Sequence, residues 1–222
     1  MRTSRHVKRV IDQGNPVELK KLLRDPELLA SAIKDILRLA AALREEGDIE
    51  QSLALVRQAL RSRKDLSRAG FVLLSHFQAD CLLDKRRFAA AVLVYDSILS
   101  SVNDATAYAN RGLARWQLGN YRTALEDYLR AAALDPKDSI VQRSIGELQN
   151  KLGCSTGAAK HLERALRLDP SSARSLSALG VAYHNLNKWV KAYRALKRAL
   201  EIDPHNRIAL LGIRKMDQHL EQ

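Results

Sequence analysis

The chain has 222 residues, 46% of them hydrophobic but only 5% aromatic, and a formal net charge of +12. That length accommodates one or two ordinary domains or one elongated array, and a mix dominated by Ala, Leu, Arg and Glu favours helix over sheet. Two cysteines in different segments, Cys81 and Cys154, make no disulfide framework; no run approaches eighteen apolar residues; and the basic N-terminus has no apolar stretch behind it, so the expected setting is a reducing, cytoplasmic one with no membrane contact.

Residues 1–32 read as an N-terminal helical cap. Asn15-Pro16 with Glu18, and Asp25-Pro26-Glu27, are two helix starts, each a polar cap followed by proline at the first helical position. Arg2, Arg5, Lys8 and Arg9 form a basic arm ahead of them. In 33–66, Gly47, Ile49, Ser52, Val56 and Ala59 fit a helix–turn–helix frame, and "LSRAG" at 66–70 reads as an irregular join. In 72–104, Phe88, Ala91 and Tyr95 repeat that frame, one residue short, with Asn103 where a proline is due.

From residue 105 the frame is explicit. Three units, 105–138, 139–172 and 173–206, superpose at a shift of 34 residues. Pro136, Pro170 and Pro204 coincide, as do Gly112, Gly146 and Gly180, then Ala124, Ala158 and Ala192, and Ala131, Ala165 and Ala199. A fixed period of this size marks a stacked array. A glycine inside a helix costs about 1 kcal/mol against alanine, so the glycines imply close approach of a neighbouring helix. Turns at "LGN" 118–120, "LGC" 152–154 and "LNK" 186–188 divide each unit into two helices, and the returning Asp-Pro stops the second. In the middle unit Gln142 and Gln149 replace large side chains. Residues 207–222 fit a lone closing helix with a polar outer side.

Leu176, Leu179, Gly180, Tyr183, Ala192, Leu196 and Pro204 stand at the spacing of the tetratricopeptide repeat, and the chain resembles that family in three adjacent copies and two degenerate ones upstream. The resemblance implies an all-α fold, a right-handed superhelical α-solenoid of about five repeats between the two caps. It also implies a concave groove lined by the first helix of each repeat. In that frame the groove residues are Asn110, Leu113, Trp116 and Gln117; then Arg143, Glu147 and Asn150; then Arg174, Ser177, His184 and Asn185. Trp116 reads either as an exposed anchor or as core; Trp189, in register with Tyr121 and Phe88, reads as core. Family members that hold acidic chaperone tails use a five-residue Lys/Asn clamp. The best-placed frame here reads Ala109, Leu113, Ser144, Arg174 and Ala178, which does not match it.

Catalytic signatures are missing from the sequence: no phosphate-binding Gly-x4-Gly-Lys, no Gly-x-Ser-x-Gly, no His-Glu-x2-His. The six histidines are dispersed, and His161 with Glu163 reads as a solvated helix face. The expectation is a non-enzymatic adaptor or chaperone-like scaffold that needs no cofactor and no metal, its partner another protein. Two alternatives stay open. Lys188, Lys191, Arg194 and Arg198 crowd one segment and could suit an anionic partner such as nucleic acid or a ribosome, although they lack interleaved aromatics for stacking and read more readily as a solvated convex face. Ile208, Leu210, Leu211 and Ile213 on the closing helix suit a homodimer seam.

Overall fold

The computed structural model describes residues 26–61 and 66–220. The helix start at Asn15-Pro16 and the basic arm at Arg2, Arg5, Lys8 and Arg9 lie outside these residues. Within the described residues the chain forms eleven α-helices: α1 (Pro26–Glu45), α2 (Ile49–Leu60), α3 (Arg68–Asp84), α4 (Phe88–Leu99), α5 (Ala105–Gln117), α6 (Tyr121–Leu134), α7 (Ser139–Lys151), α8 (Ser155–Leu168), α9 (Ala173–Asn185), α10 (Trp189–Ile202) and α11 (Arg207–Leu220). No strand is found among them. They fall into two units, Met1–Leu118 with α1 to α5 and Gly119–Gln222 with α6 to α11.

Local chemistry accounts for the helix ends. The helices that open repeats begin at a polar cap. Ser67, Asp104, Asp138 and Ser172 accept the amide three residues on, from Gly70, Ala107, Val141 and Ser175, and the Asn206 side chain accepts from Ala209. The Asp-Pro pairs do more than stop a helix. Asp135, Asp169 and Asp203 leave the helix with extended backbone, and each carboxylate accepts the amide two residues later, across the proline, from Lys137, Ser171 and His205. Proline removes the helical donor and aspartate satisfies the next one.

Mid-repeat turns share one backbone device. Gly47, Gly119 and Gly153 take positive φ of 90°, 81° and 82°, and at the same position of the other two repeats stand Arg86 and Asn187, with φ of 56° and 57°. This left-handed residue recurs in all five repeats, including the two upstream. Asparagine tolerates it; arginine carries a Cβ penalty of about 1–2 kcal/mol. Arg86→Gly is therefore expected to stabilise the protein by about 0.5–1 kcal/mol after the added flexibility of unfolded glycine is deducted. Asn187→Gly should gain less. Urea unfolding checks both, and a loss of stability in Arg86→Gly would contradict the account.

Two boundaries differ from the sequence reading. Helix α1 starts at Pro26 as expected but runs for 20 residues, so position 32 lies inside it rather than at the end of a short cap helix. No breaker stands between Pro26 and Gly47 to end it. "LSRAG" is a helix start, not a loose join: Ser67 caps α3, and Gly70 lets that helix pass close to the side chain of Ile33.

In the first unit α1 packs on α2, α2 on α3, α3 on α4 and α4 on α5, with a direct contact from α1 to α3. In the second unit each helix from α6 to α11 packs on the next, and α7 meets α9, which meets α11. In the second unit the repeat-opening helices α7, α9 and α11 thus touch their successors and build a wall. The small-residue columns are buried. Ser52, Ala91, Ala124, Ala158 and Ala192 are all sealed from solvent, as are Val56, Tyr95, Tyr128, Leu162 and Leu196 four residues further on. Each large side chain in that second column contributes roughly 1.5–3 kcal/mol by burial.

The glycine column explains itself at Gly146 and Gly180. A Cβ at Gly146 would lie 2.5 Å from Leu162 Cγ and 3.1 Å from the carbonyl of Ala158; at Gly180 it would lie 2.5 Å from Leu196 Cδ2. On α11 the same column holds Arg214, which is exposed. Gly212 instead receives the other side of Leu196, with 2.7 Å to its Cδ1.

Candidate partner-binding walls

In the first unit the wall is carried by α3 and α5, and its centre is an acid. Asp80 is half-buried and accepts a hydrogen bond from the Tyr95 hydroxyl at 3.1 Å. Burial pushes its carboxyl above the ordinary carboxylate range, against the opposing effects of Tyr95 and Arg44. Tyr95 is fully buried, held also by Asn110, and its phenol is pushed far up by burial and by Asp80. His76 sets its ring edge against Tyr95 and its Nε2 lies 3.3 Å from Asp104. Arg44 is committed to Asp84 at 2.6 Å and stacks over Phe77. Asn110 is half-buried, Leu113 and Gln117 are exposed, and Trp116 is half-buried, neither sealed in the core nor fully open.

In the second unit the structure joins three of the expected residues. Glu147 on α7 receives both nitrogens of Arg174 on α9, Nε at 2.6 Å and Nη2 at 2.8 Å, and Arg143 approaches one turn away at 3.6 Å. Glu147 keeps only 14% of its side chain exposed and Arg143 19%, whereas Arg174 keeps 62%. Two-pronged guanidinium–carboxylate geometry is the strong form of this pair. Arg143 Nε is buried with no acceptor among the described residues. Tyr128 lies beneath the cluster, hydrogen-bonded to Ser144, its phenol pushed up to about 12 by burial. Asn150 donates from Nδ2 to the Ala178 carbonyl at 2.9 Å, tying α7 to α9, and its Oδ1 is buried without a partner among the described residues.

Other expected residues are placed differently. Ser177 is fully buried, its hydroxyl donating to the Arg174 carbonyl within its own helix, so it presents nothing to a partner. His184 is half-buried and Asn185 exposed. Trp189 is not core: it is 47% exposed and stands edge-on to His184, ring centres 4.9 Å apart. At its register in the preceding repeat stands Ser155, which is buried. His161 is not on a solvated face either. Its Nδ1 lies 2.9 Å from Oε1 of the fully buried Gln142, and burial, then Arg164, pushes its pKa down. The glutamine that replaces a large side chain has thus acquired a polar partner inside the hairpin.

On the outer face of α10, Lys188, Lys191, Arg194 and Arg198 are exposed. Lys191 also lies over the Tyr183 ring and Arg198 donates to the Pro170 carbonyl, so two of the four have structural contacts. Ile208, Leu210 and Leu211 of α11 are exposed, while Ile213 packs on the core. Among the described residues no helix is long and apolar enough to cross a membrane.

Comparison with known proteins agrees with this architecture. One tetratricopeptide repeat model matches residues 105–138 and 173–206, and a second matches residues 37–110, together more than half of the chain. "Tetratricopeptide repeat protein 16" of Macaca fascicularis is 26% identical over 112 residues, which is 49% of this chain but only 13% of that protein. The crystal structure of YrrB, described as a tetratricopeptide repeat protein with an unusual peptide-binding site, superposes with a TM-score of 0.69 at 20% identity, covering 81% of this chain and 91% of that one. The first such domain of Spaghetti (RPAP3), bound to an HSP90 peptide, gives 0.51 at 24% identity over 53% of this chain and 94% of that one.

Proposed function

Because the chain belongs to the tetratricopeptide repeat family, we propose that it is a binding scaffold rather than an enzyme, holding an extended segment or helix of another protein against the walls of its repeat-opening helices. The observation that carries this reading is the arrangement on α7 and α9. There Arg143, Glu147, Asn150 and Arg174 form a preorganised polar wall. Arg174, 62% exposed and held by Glu147, is the group this wall presents outward. A guanidinium fixed by a carboxylate behind it suits a carbonyl or carboxylate of a bound segment. Two similar structures, YrrB and the Spaghetti domain, are described as binding peptides, which supports the same use here. The partner need not resemble the HSP90 tail, since the clamp residues for such tails do not fall in frame. A chaperone-like role, shielding such a segment until its own assembly, is one form of this activity.

Selection of random displayed peptides on the whole chain tests the reading. The wild-type protein is expected to enrich a peptide family. Arg143→Glu combined with Arg174→Glu is expected to weaken capture about tenfold, the loss of one strong contact of about 1.4 kcal/mol. Equal capture by wild type and variant would remove this wall from consideration.

A further inference from the structure

The first unit carries a feature that the polar wall of the second does not share: a half-buried carboxylate without a cation. Asp80 has one hydrogen bond, from Tyr95, and no cationic side chain within ion-pair distance among the described residues. The nearest guanidinium, Arg44, is spent on Asp84. His76, the other titratable neighbour, is turned to Asp104. Asp80 and Asp84 therefore share a single guanidinium, that of Arg44, in a chain whose formal net charge is +12. A local negative balance inside a basic protein does not arise from composition.

The face that carries Asp80 also exposes apolar side chains. Leu73, seven residues earlier and so on the same side of α3, is 55% exposed; Leu113, at the register of Asp80 one repeat on, is 39% exposed. Phe77 is half-buried one turn from Asp80. A half-buried carboxylate on a face that also exposes leucines is matched by a cationic side chain on an apolar segment: the alkyl stem covers apolar surface and the charged head meets the acid. Burial already raises the carboxyl of Asp80, so an arriving cation gains from an acid that solvent stabilises poorly.

We propose that the wall of the first unit around Asp80 is a subsite for a lysine or arginine side chain flanked by apolar residues in the bound segment. This rests on the scaffold reading above and adds the chemistry of the partner. The tyrosine hydroxyl and Asn110 hold the carboxylate in place through the chain Asp80–Tyr95–Asn110 and take no other part.

The same peptide selection separates the two readings. Peptides captured by the wild-type chain are expected to be enriched about threefold or more in Lys or Arg next to Leu, Ile or Phe. Asp80→Asn keeps an oxygen for the Tyr95 hydroxyl; it is expected to capture peptides still, without that enrichment. A second measurement needs no change in the protein. Norleucine in place of the lysine of the best captured peptide is expected to weaken binding to the wild type about tenfold or more. No capture by the wild type would overturn the scaffold reading and this one with it. Capture without a preference for cations, a preference that survives Asp80→Asn, or indifference to norleucine would overturn the subsite alone.

Discussion

Gly146→Val is expected to destabilise the second unit by about 3 kcal/mol, the upper end of what overpacking a core costs. Valine is a somewhat better helix former than glycine, so propensity returns a few tenths of a kcal/mol. Sterics overwhelm that gain. The added Cβ alone meets Leu162 Cγ at 2.5 Å and Cδ2 at 3.0 Å, and the Ala158 carbonyl at 3.1 Å. Leu162 is sealed and its Cγ is not a flexible end, while the carbonyl is backbone, so neither can move aside cheaply. α7 and α8 must separate, which opens the contact they share. For a unit of this size the melting point should fall by about 12 °C or more. Loss of hydrogen-exchange protection should begin in α7 and α8 and spread to neighbours, since repeats are coupled mainly to the next in line. A variant that melts within a degree or two of wild type would mean that the hairpin is looser than its geometry indicates. Arg214 is the built-in control. It occupies the same column on α11, where no second helix among the described residues presses on it, and there a large side chain is accommodated.

Glu147→Ala is expected to cost about 2 kcal/mol of stability. The residue satisfies Arg174 with two hydrogen bonds and neutralises Arg143, whose side chain is largely buried. Removing one member of a fully buried pair costs roughly 3–5 kcal/mol because the remaining charge is stranded. Arg174 is mostly exposed and rehydrates easily, which reduces the figure. Arg143 is the residue left stranded, so Arg143→Met in the Glu147→Ala background is expected to recover most of the loss. A thermodynamic cycle over the two substitutions reads this directly. If Glu147→Ala alone is neutral, the cluster is an ordinary surface pair and the case for a preorganised wall is lost. Glu147→Gln separates charge from shape: it keeps one acceptor oxygen and is expected to lose less than the alanine variant.

How much of this was legible beforehand depends on the range of the interaction. The proline, glycine and alanine columns were readable because each reports a short-range necessity. Proline cannot continue a helix, and a glycine or alanine at a fixed helical spacing allows a close neighbour. The two upstream repeats were readable for the same reason, through Ser52, Ala59 and Ala91. Arg86 was harder. An arginine does not announce a left-handed turn, and only its register with Gly47 and Gly119 would have pointed to it. "LSRAG" was misread because a serine cap and a glycine packed against Ile33 look like loop residues when the partner helix is unseen.

The sequence by itself determined the repeat, its two-helix division, its turns and the residues buried between hairpin partners, since all of these follow from helical periodicity and backbone sterics within some thirty residues. Only the tertiary structure decided which polar groups meet. Arg174 reaches Glu147 across 27 positions, Arg44 reaches Asp84 across 40, and the Gln142–His161 pair forms inside a hairpin where other repeats carry a large side chain. It also decided that Trp189 is exposed, although Ser155 at the same register one repeat earlier is buried: burial of that column depends on the neighbours, not on the residue type. Helical period places a side chain on a face; the angle and separation of the neighbouring helices determine what that face meets.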